Sequence, residues 1–227
     1  MEEQLTLSVP PDGPYLLFAE RAGDELAGAG GLLGYARKNN MLIGIVFVGE
    51  HDEKQEDAAR KAVKTLGAKY CEFWQINAID DESDASFMQR LGKILKSLRP
   101  ITLLAPSIYS AQRSLTARLT ALLPQLDYRG EFWCYETTHQ LQANRILDVS
   151  LGHSVKKSAA RFYSRQAEIA PLLKASEGLN QMRAWQAEAD NVEAFWVISG
   201  KELTPESLRD NVLSNIAEYT DDLQDAE

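Results

Sequence analysis

The chain has little of what would place it outside a cell, in a membrane or on nucleic acid. Two cysteines occur in 227 residues. Cys71 in "YCEFW" and Cys134 in "FWCYE" both lie in aromatic, strand-like contexts, and they read as buried reduced thiols rather than a disulfide framework. Histidine is almost as scarce, with only His51, His139 and His153. They are spread over unrelated segments and read as solvated or locally bonded side chains, whereas a catalytic zinc needs about three protein ligands around one point. The most continuous apolar segment, "MLIGIVFV" at 41–48, is far short of the roughly 20 residues that span a bilayer. A secretory signal would need a basic start and an apolar run, and "MEEQLTLSVPPDGPY" is acidic and broken by prolines. These features predict a soluble, cytoplasmic protein with no membrane span. Basic residues number 24 against 33 acidic ones, a formal charge of −9. That balance works against a phosphate-backbone footprint, so nucleic acid is not an expected partner, although it leaves room for a local basic pocket. No internal repeat, low-complexity tract or long linker is found.

What is present is ordinary for a globular domain: 44% hydrophobic and 25% charged residues, enough to bury a substantial core. Apolar strand runs alternate with helical periodicity. "PYLLFA" precedes a helix from about Asp24 to Lys38, and "LIGIVFV" precedes a helix across "EDAARKAVKTLG". "KYCEFWQ" then precedes a helix over "ASFMQRLGKILKSL", and "ITLLA" one over "AQRSLTARLTALL" that stops at Pro124. Four such alternations predict an α/β fold, a Rossmann-like, mostly parallel sheet with helices on both faces. The second half is less regular. It offers strands at "EFWCYE", "RILDVS" and "EAFWVI", a helix from about His153 to Gln166 and another over "LNQMRAWQAEA"; it reads as a cap or a sheet extension. Residues 1–200 form the expected domain. Residues 201–227 are expected to be a C-terminal helix with an acidic tail, Thr204 serving as N-cap and Pro205 as first helical residue.

The segment "LLFAERAGDELAGAGGLL", 16–33, runs a strand into an acidic pair and then a glycine-rich helix. Ligands of α/β proteins gather at strand carboxyl ends, where helix N-termini present free amides, so Arg21, Asp24 and Glu25 occupy a privileged position. This stretch resembles the opening motif of the PIG-L (LmbE-like) family of zinc-dependent de-N-acetylases, Ala-x-His-Pro-Asp-Asp-Glu followed by a Gly-Gly helix. Ala19, Glu20, Arg21, Ala22, Gly23, Asp24 and Glu25 align without a gap, as do Gly30 and Gly31. Gly49 and Glu50, the run from Ala62 to Gly67, and Tyr135, Glu136, Asn144 and Asp148 are similar to later family blocks. So are Ser164 and Gln166, and the terminal "NVEAF". The set covers residues 14–198.

The resemblance implies a zinc site and also shows where it has gone. The family's first ligand is replaced by Arg21 and its general base by Gly23; of the ligands only Asp24 survives. Its distant His-x-Asp-His falls in "SIYSAQRSL", where Ser107, Tyr109 and Ser110 stand instead. Its Arg-x-x-Glu reads Gln55 and Ala58. The expectation is therefore a protein without zinc or another cofactor, with no catalytic residues of the family type. Two readings of Arg21 stand side by side. Its guanidinium replaces the metal by charge-assisted hydrogen bonds to Asp24, or it points to solvent while Asp24 caps the helix.

The leading function is a pseudoenzyme on a deacetylase fold. Its cleft, lined by Arg21, Asp24, Glu25, Ser107, Ser110 and Glu136, takes a sugar-like or anionic small molecule, or the chain binds a protein partner. The alternative is an active N-acetylglucosamine-type hydrolase with rearranged metal chemistry or with Ser107 or Ser110 as nucleophile, for which the sequence marks no activating base. A structural or assembly role is the third reading, and it requires a large apolar patch on the C-terminal helix.

Overall fold

The computed structural model describes residues 7–76, 84–107, 113–204 and 206–207. Its strands are β1 Leu7–Ser8, β2 Tyr15–Ala19, β3 Ile43–Gly49, β4 Tyr70–Ile76, β5 Thr102–Pro106, β6 Glu131–Tyr135, β7 Arg145–Asp148 and β8 Val192–Ser199. They form one sheet in the order β1-β7-β8-β6-β5-β2-β3-β4. All pairings are parallel except those of β8, which runs antiparallel to both β6 and β7. The α/β class expected from the sequence is the one observed, and the second half extends the sheet rather than capping it.

The helices are α1 Asp24–Lys38, α2 Glu53–Leu66, α3 Asp84–Leu98, α4 Arg113–Leu122, α5 Ser150–Ala160 and α6 Ile169–Gln186. One core cluster joins Leu17, Ile45 and Phe47 to residues of α1, α2 and α5; the other joins Leu16, Phe18 and Val46 to α3 and α4. Successive residues of β2 and β3 therefore feed opposite faces. This is why "YLLFA" and "IGIVFV" read as unbroken apolar runs rather than as alternation. Local signals fix several ends. Asp52 and Gln55 form a reciprocal capping box at the start of α2, and Gly67 closes it in the left-handed region at φ 74°.

Two helix expectations are corrected. α5 stops at Ala160 and tightens into a 3-10 turn over Arg161–Tyr163, short of Gln166. α6 begins at Ile169 instead of Leu179. Its Pro171 occupies the first turn, where no intrahelical N–H is needed. At the C-terminus Ser207 N–H donates to Thr204 Oγ1 at 3.1 Å, as expected of an N-cap. The rest of the expected helix, Pro205 and the acidic tail lie outside the described residues. No described helix is long and apolar enough to cross a membrane.

α1 and α5 cross backbone to backbone. A Cβ on Gly152 would lie 1.9 Å from the Gly31 carbonyl oxygen, and one on Gly34 would lie 2.3 Å from that of Gly152. α1 itself is kinked at Ala29, whose φ of −146° and ψ of 21° are not helical.

Candidate functional site

β2 and β5 are sheet neighbours whose following helices, α1 and α4, pack on opposite faces. Their carboxyl ends frame the topological switch point, the crevice where α/β sheets receive ligands. β2 delivers Glu20 to Gly23 there, and β5 delivers Ser107. Gly23 is the N-cap of α1 at φ 99°, and a Cβ on it would lie 2.4 Å from Ile169 Cγ2. Both backbone and space demand glycine at this turn.

The carboxylates beyond it are fully buried. Asp24 Oδ2 accepts the Arg21 backbone N–H at 2.9 Å, whereas Oδ1 has no partner. Burial pushes the Asp24 carboxyl up to about 6, opposed by the Arg21 amide and charge. The Arg21 guanidinium is exposed and makes no hydrogen bond or ion pair among the described residues. Asp24 is thus held by backbone and not by the guanidinium, which favours the solvent-facing reading of Arg21. Glu25 bridges elements: Oε2 accepts the Gly23 N–H at 2.8 Å and Oε1 accepts the Tyr163 hydroxyl at 2.7 Å. Burial pushes its carboxyl up to about 7 against those two bonds.

His51 supports the turn from β3. Its Nε2 accepts the Ala22 N–H at 2.9 Å, and the ring packs edge-on against Phe47 and Phe73. The family motif has a proline at the Ala22 position, which carries no N–H; here the additional donor is taken up by an imidazole. Burial lowers the His51 pKa, so the ring is held neutral and able to accept. His51 is therefore locally bonded, as the sequence indicated. Tyr135 ends β6 beside this turn. It is fully buried, donates its hydroxyl to the Phe18 carbonyl at 2.9 Å and lies so close to α1 that a Cβ on Gly28 would meet its ring at 2.0 Å.

The remaining expected site residues are not all brought together. Ser107 is buried at the end of β5, its N–H donating to the Tyr135 carbonyl at 2.9 Å. Ser110, with Tyr109, lies outside the described residues. Glu136 follows β6 at the same sheet edge, but its carboxylate is committed to Arg183 of α6 at 2.5 Å and to the Leu141 N–H at 2.8 Å. It ties α6 to the sheet. Among the described residues no three His, Cys, Asp or Glu side chains converge as a metal site would require.

A buried pair went unnoticed in the sequence. Glu193 on β8 accepts the Gly31 N–H at 2.7 Å through Oε1 and the Leu32 N–H at 2.9 Å through Oε2, and Lys156 of α5 binds Oε1 at 2.9 Å. Those amides are freed by the kink at Ala29, and the carbonyl freed with them, that of Ala27, accepts the Ser176 hydroxyl at 2.5 Å. Glu193 thus caps the second half of α1 from across the sheet. The available signal was a lone carboxylate inside the apolar strand "NVEAFWV", which has to be paired if buried.

No protein-family profile and no curated protein sequence matches the chain. Solved structures do match. The N,N'-diacetylchitobiose deacetylase of Pyrococcus horikoshii superposes with a TM-score of 0.63 at 17% identity, covering 84% of this chain and 86% of that one. The chain has the fold of the LmbE-like deacetylases. A conserved protein of Thermus thermophilus shares it with a TM-score of 0.64 at 19% identity, over 80% of this chain and 93% of its own. So does the 4-carboxy-2-hydroxymuconate hydratase of Pseudomonas putida, with a TM-score of 0.67 at 16% identity, over 81% and 95%. A deacetylase and a hydratase on one scaffold mean that this LmbE-like fold does not by itself name a reaction.

Proposed function

We propose that this chain uses the LmbE-like fold to bind a sugar-like or anionic ligand, and does not hydrolyse it through zinc. The observation that carries the reading is the donor set at the switch point: Asp24 stands beside an arginine and a glycine that the turn geometry requires, and the neighbouring Glu25 is committed to the Gly23 N–H and the Tyr163 hydroxyl. A zinc that activates water needs about three protein ligands and a neighbouring base. The segment 108–112, "IYSAQ", has no histidine, cysteine or carboxylate to add. These residues do not fit the ion.

What the crevice offers instead is recognition. The Arg21 guanidinium is exposed, makes no hydrogen bond or ion pair among the described residues, and is free to meet an anion or a hydroxyl-rich ring. The test is direct. Protein purified without chelator is analysed for metals by mass spectrometry and assayed against N-acetylglucosamine conjugates with zinc added. No stoichiometric zinc and background turnover are expected. One zinc per chain accompanied by deacetylation, both lost in Asp24→Asn, would overturn the proposal.

A further inference from the structure

Three successive main-chain donors at the turn between β2 and α1 each end on a titratable side chain. Arg21 N–H reaches Asp24 Oδ2 at 2.9 Å, Ala22 N–H reaches His51 Nε2 at 2.9 Å and Gly23 N–H reaches Glu25 Oε2 at 2.8 Å. The three acceptors respond differently to a proton. A carboxyl protonated on one oxygen keeps the other as an acceptor, so Asp24 and Glu25 can hold their amides in either state. An imidazole has one accepting nitrogen, and His51 has committed it to Ala22. Protonation puts a second donor there, N–H against N–H, and the bond must break.

The surroundings of the ring do not receive the cation in this position. Because Nε2 accepts, the neutral ring carries its proton on Nδ1, a buried atom with no hydrogen-bond partner among the described residues. Phe47 of β3 and Phe73 of β4 pack edge-on against it, with ring centroids 5.7 and 5.5 Å away. The Gln75 carboxamide of β4 is spent on the His51 main-chain N–H and on Glu56. The charges that face the ring are the carboxylates of Asp52 and Glu56 at the start of α2, which favour the cation; burial outweighs them and lowers the pKa from the ordinary 6.5. On the turn itself, Glu20, Arg21 and Asp24 flank the Ala22 amide in sequence. The ring is only half-buried, so a proton can reach it, and once charged it can turn towards the α2 carboxylates.

We infer that His51 is a proton-operated latch on the turn that presents Arg21: neutral, it holds the Ala22 amide, and protonated, it releases that amide and frees the turn. The flanks stay fixed. Gly49 N–H ties the Glu20 carbonyl to β3 at 2.9 Å, and Leu26 and Ala27 N–H keep the Gly23 carbonyl in the first turn of α1. The loosening is therefore confined to Arg21, Ala22 and Gly23. Only its consequence for ligand binding rests on the function proposed above, in which Arg21 meets the ligand; the latch itself does not.

The test is a titration of the 15N-labelled full chain by NMR, without ligand, from about pH 8 to about pH 5, the interval in which a histidine changes charge. The His51 ring should show the Nδ1–H tautomer at the alkaline end and one protonation step with a midpoint below 6.5. The Ala22 amide proton should move upfield with that same midpoint. The heteronuclear NOEs of Arg21, Ala22 and Gly23 should fall with it while those of β2 stay constant. His51→Gln supplies a carboxamide oxygen in place of Nε2 that does not titrate, so Ala22 should stay bonded through the acid range. Equal loosening in His51→Gln would assign the change to Asp24 and Glu25, whose carboxyls titrate at about 6 and about 7, and would overturn the latch. So would a ring that stays neutral until the chain unfolds, or an Ala22 amide that does not move when the ring is protonated. Those last two outcomes are read in the parent chain and decide the matter even where His51→Gln fails to fold. Because no ligand is present, none of them bears on whether the crevice binds one.

Discussion

Replacing Glu193 by alanine tests the account of the kinked helix. The change removes the acceptor of two main-chain donors, Gly31 and Leu32, and the counterion of Lys156, whose side chain is 8% exposed. Breaking a buried pair by deleting one partner costs about 3 to 5 kcal/mol, and each orphaned buried amide about 1 to 3 kcal/mol. These terms overlap, because water entering the space left by the side chain will serve some of the orphans. A loss of about 4 kcal/mol is the working figure, equivalent to a Tm lowered by roughly 8 to 16 °C in a domain of this size. Lys156→Met should cost less, since the carboxylate keeps both amides. Urea unfolding followed by far-ultraviolet circular dichroism provides the comparison, and a cycle of Lys156→Met with Glu193→Gln should show a coupling of about 1 to 3 kcal/mol. A Glu193→Ala loss below about 1 kcal/mol, or additive single changes, would refute the cap.

Glu25 titrates near 7 when folded but at 4.5 in the unfolded reference, so the native state retains a proton that the unfolded chain releases across that interval. Its stabilising effect is complete below 4.5 and lost as pH rises to about 7; Glu25→Gln should therefore gain about 3 kcal/mol on the parent between those limits, and a pH-independent difference in unfolding free energy would refute this. Arg21→Ala should leave unfolding free energy within about 0.5 kcal/mol of the parent, since its guanidinium holds nothing; a larger fall in urea titrations would restore the metal-replacement reading. Gly152→Ala places a methyl 1.9 Å from the Gly31 carbonyl oxygen and should cost about 3 kcal/mol or fail to fold, with normal melting counting against the helix contact.

The alternation of strands and helices is legible because β2, β3 and β5 are buried on both faces and so written as apolar runs, while the edge strand β4 is only partly buried and is marked by its aromatic residues instead. α1 was placed at its observed bounds because Asp24 and Lys38 mark the charged ends of a glycine-rich segment. α6 begins ten residues before the expected Leu179, its first turn holding a proline that a helix start tolerates. The gap-free motif puts Arg21, Gly23 and Asp24 at the turn after β2, and that is where the structure has them. The engagement of Glu136 by Arg183, 47 residues on, is not marked in the sequence, because a carboxylate after a strand does not show whether it faces a cleft or a distant arginine. The Glu193–Lys156 pair depends on a kink at Ala29 that no residue there announces.

The cap on α1 also has a schedule. Gly31 and the carboxylate that receives its amide are 162 residues apart. At about 5 to 20 residues per second of synthesis, the first half of the chain waits roughly 8 to 32 s for that carboxylate to be made. Until then the Gly31 and Leu32 amides have no Glu193 to receive them, so the kinked form of α1 is completed only once β8 exists. Assembly of the crevice in a growing chain is therefore timed by its last strand and not by the helix that lines it.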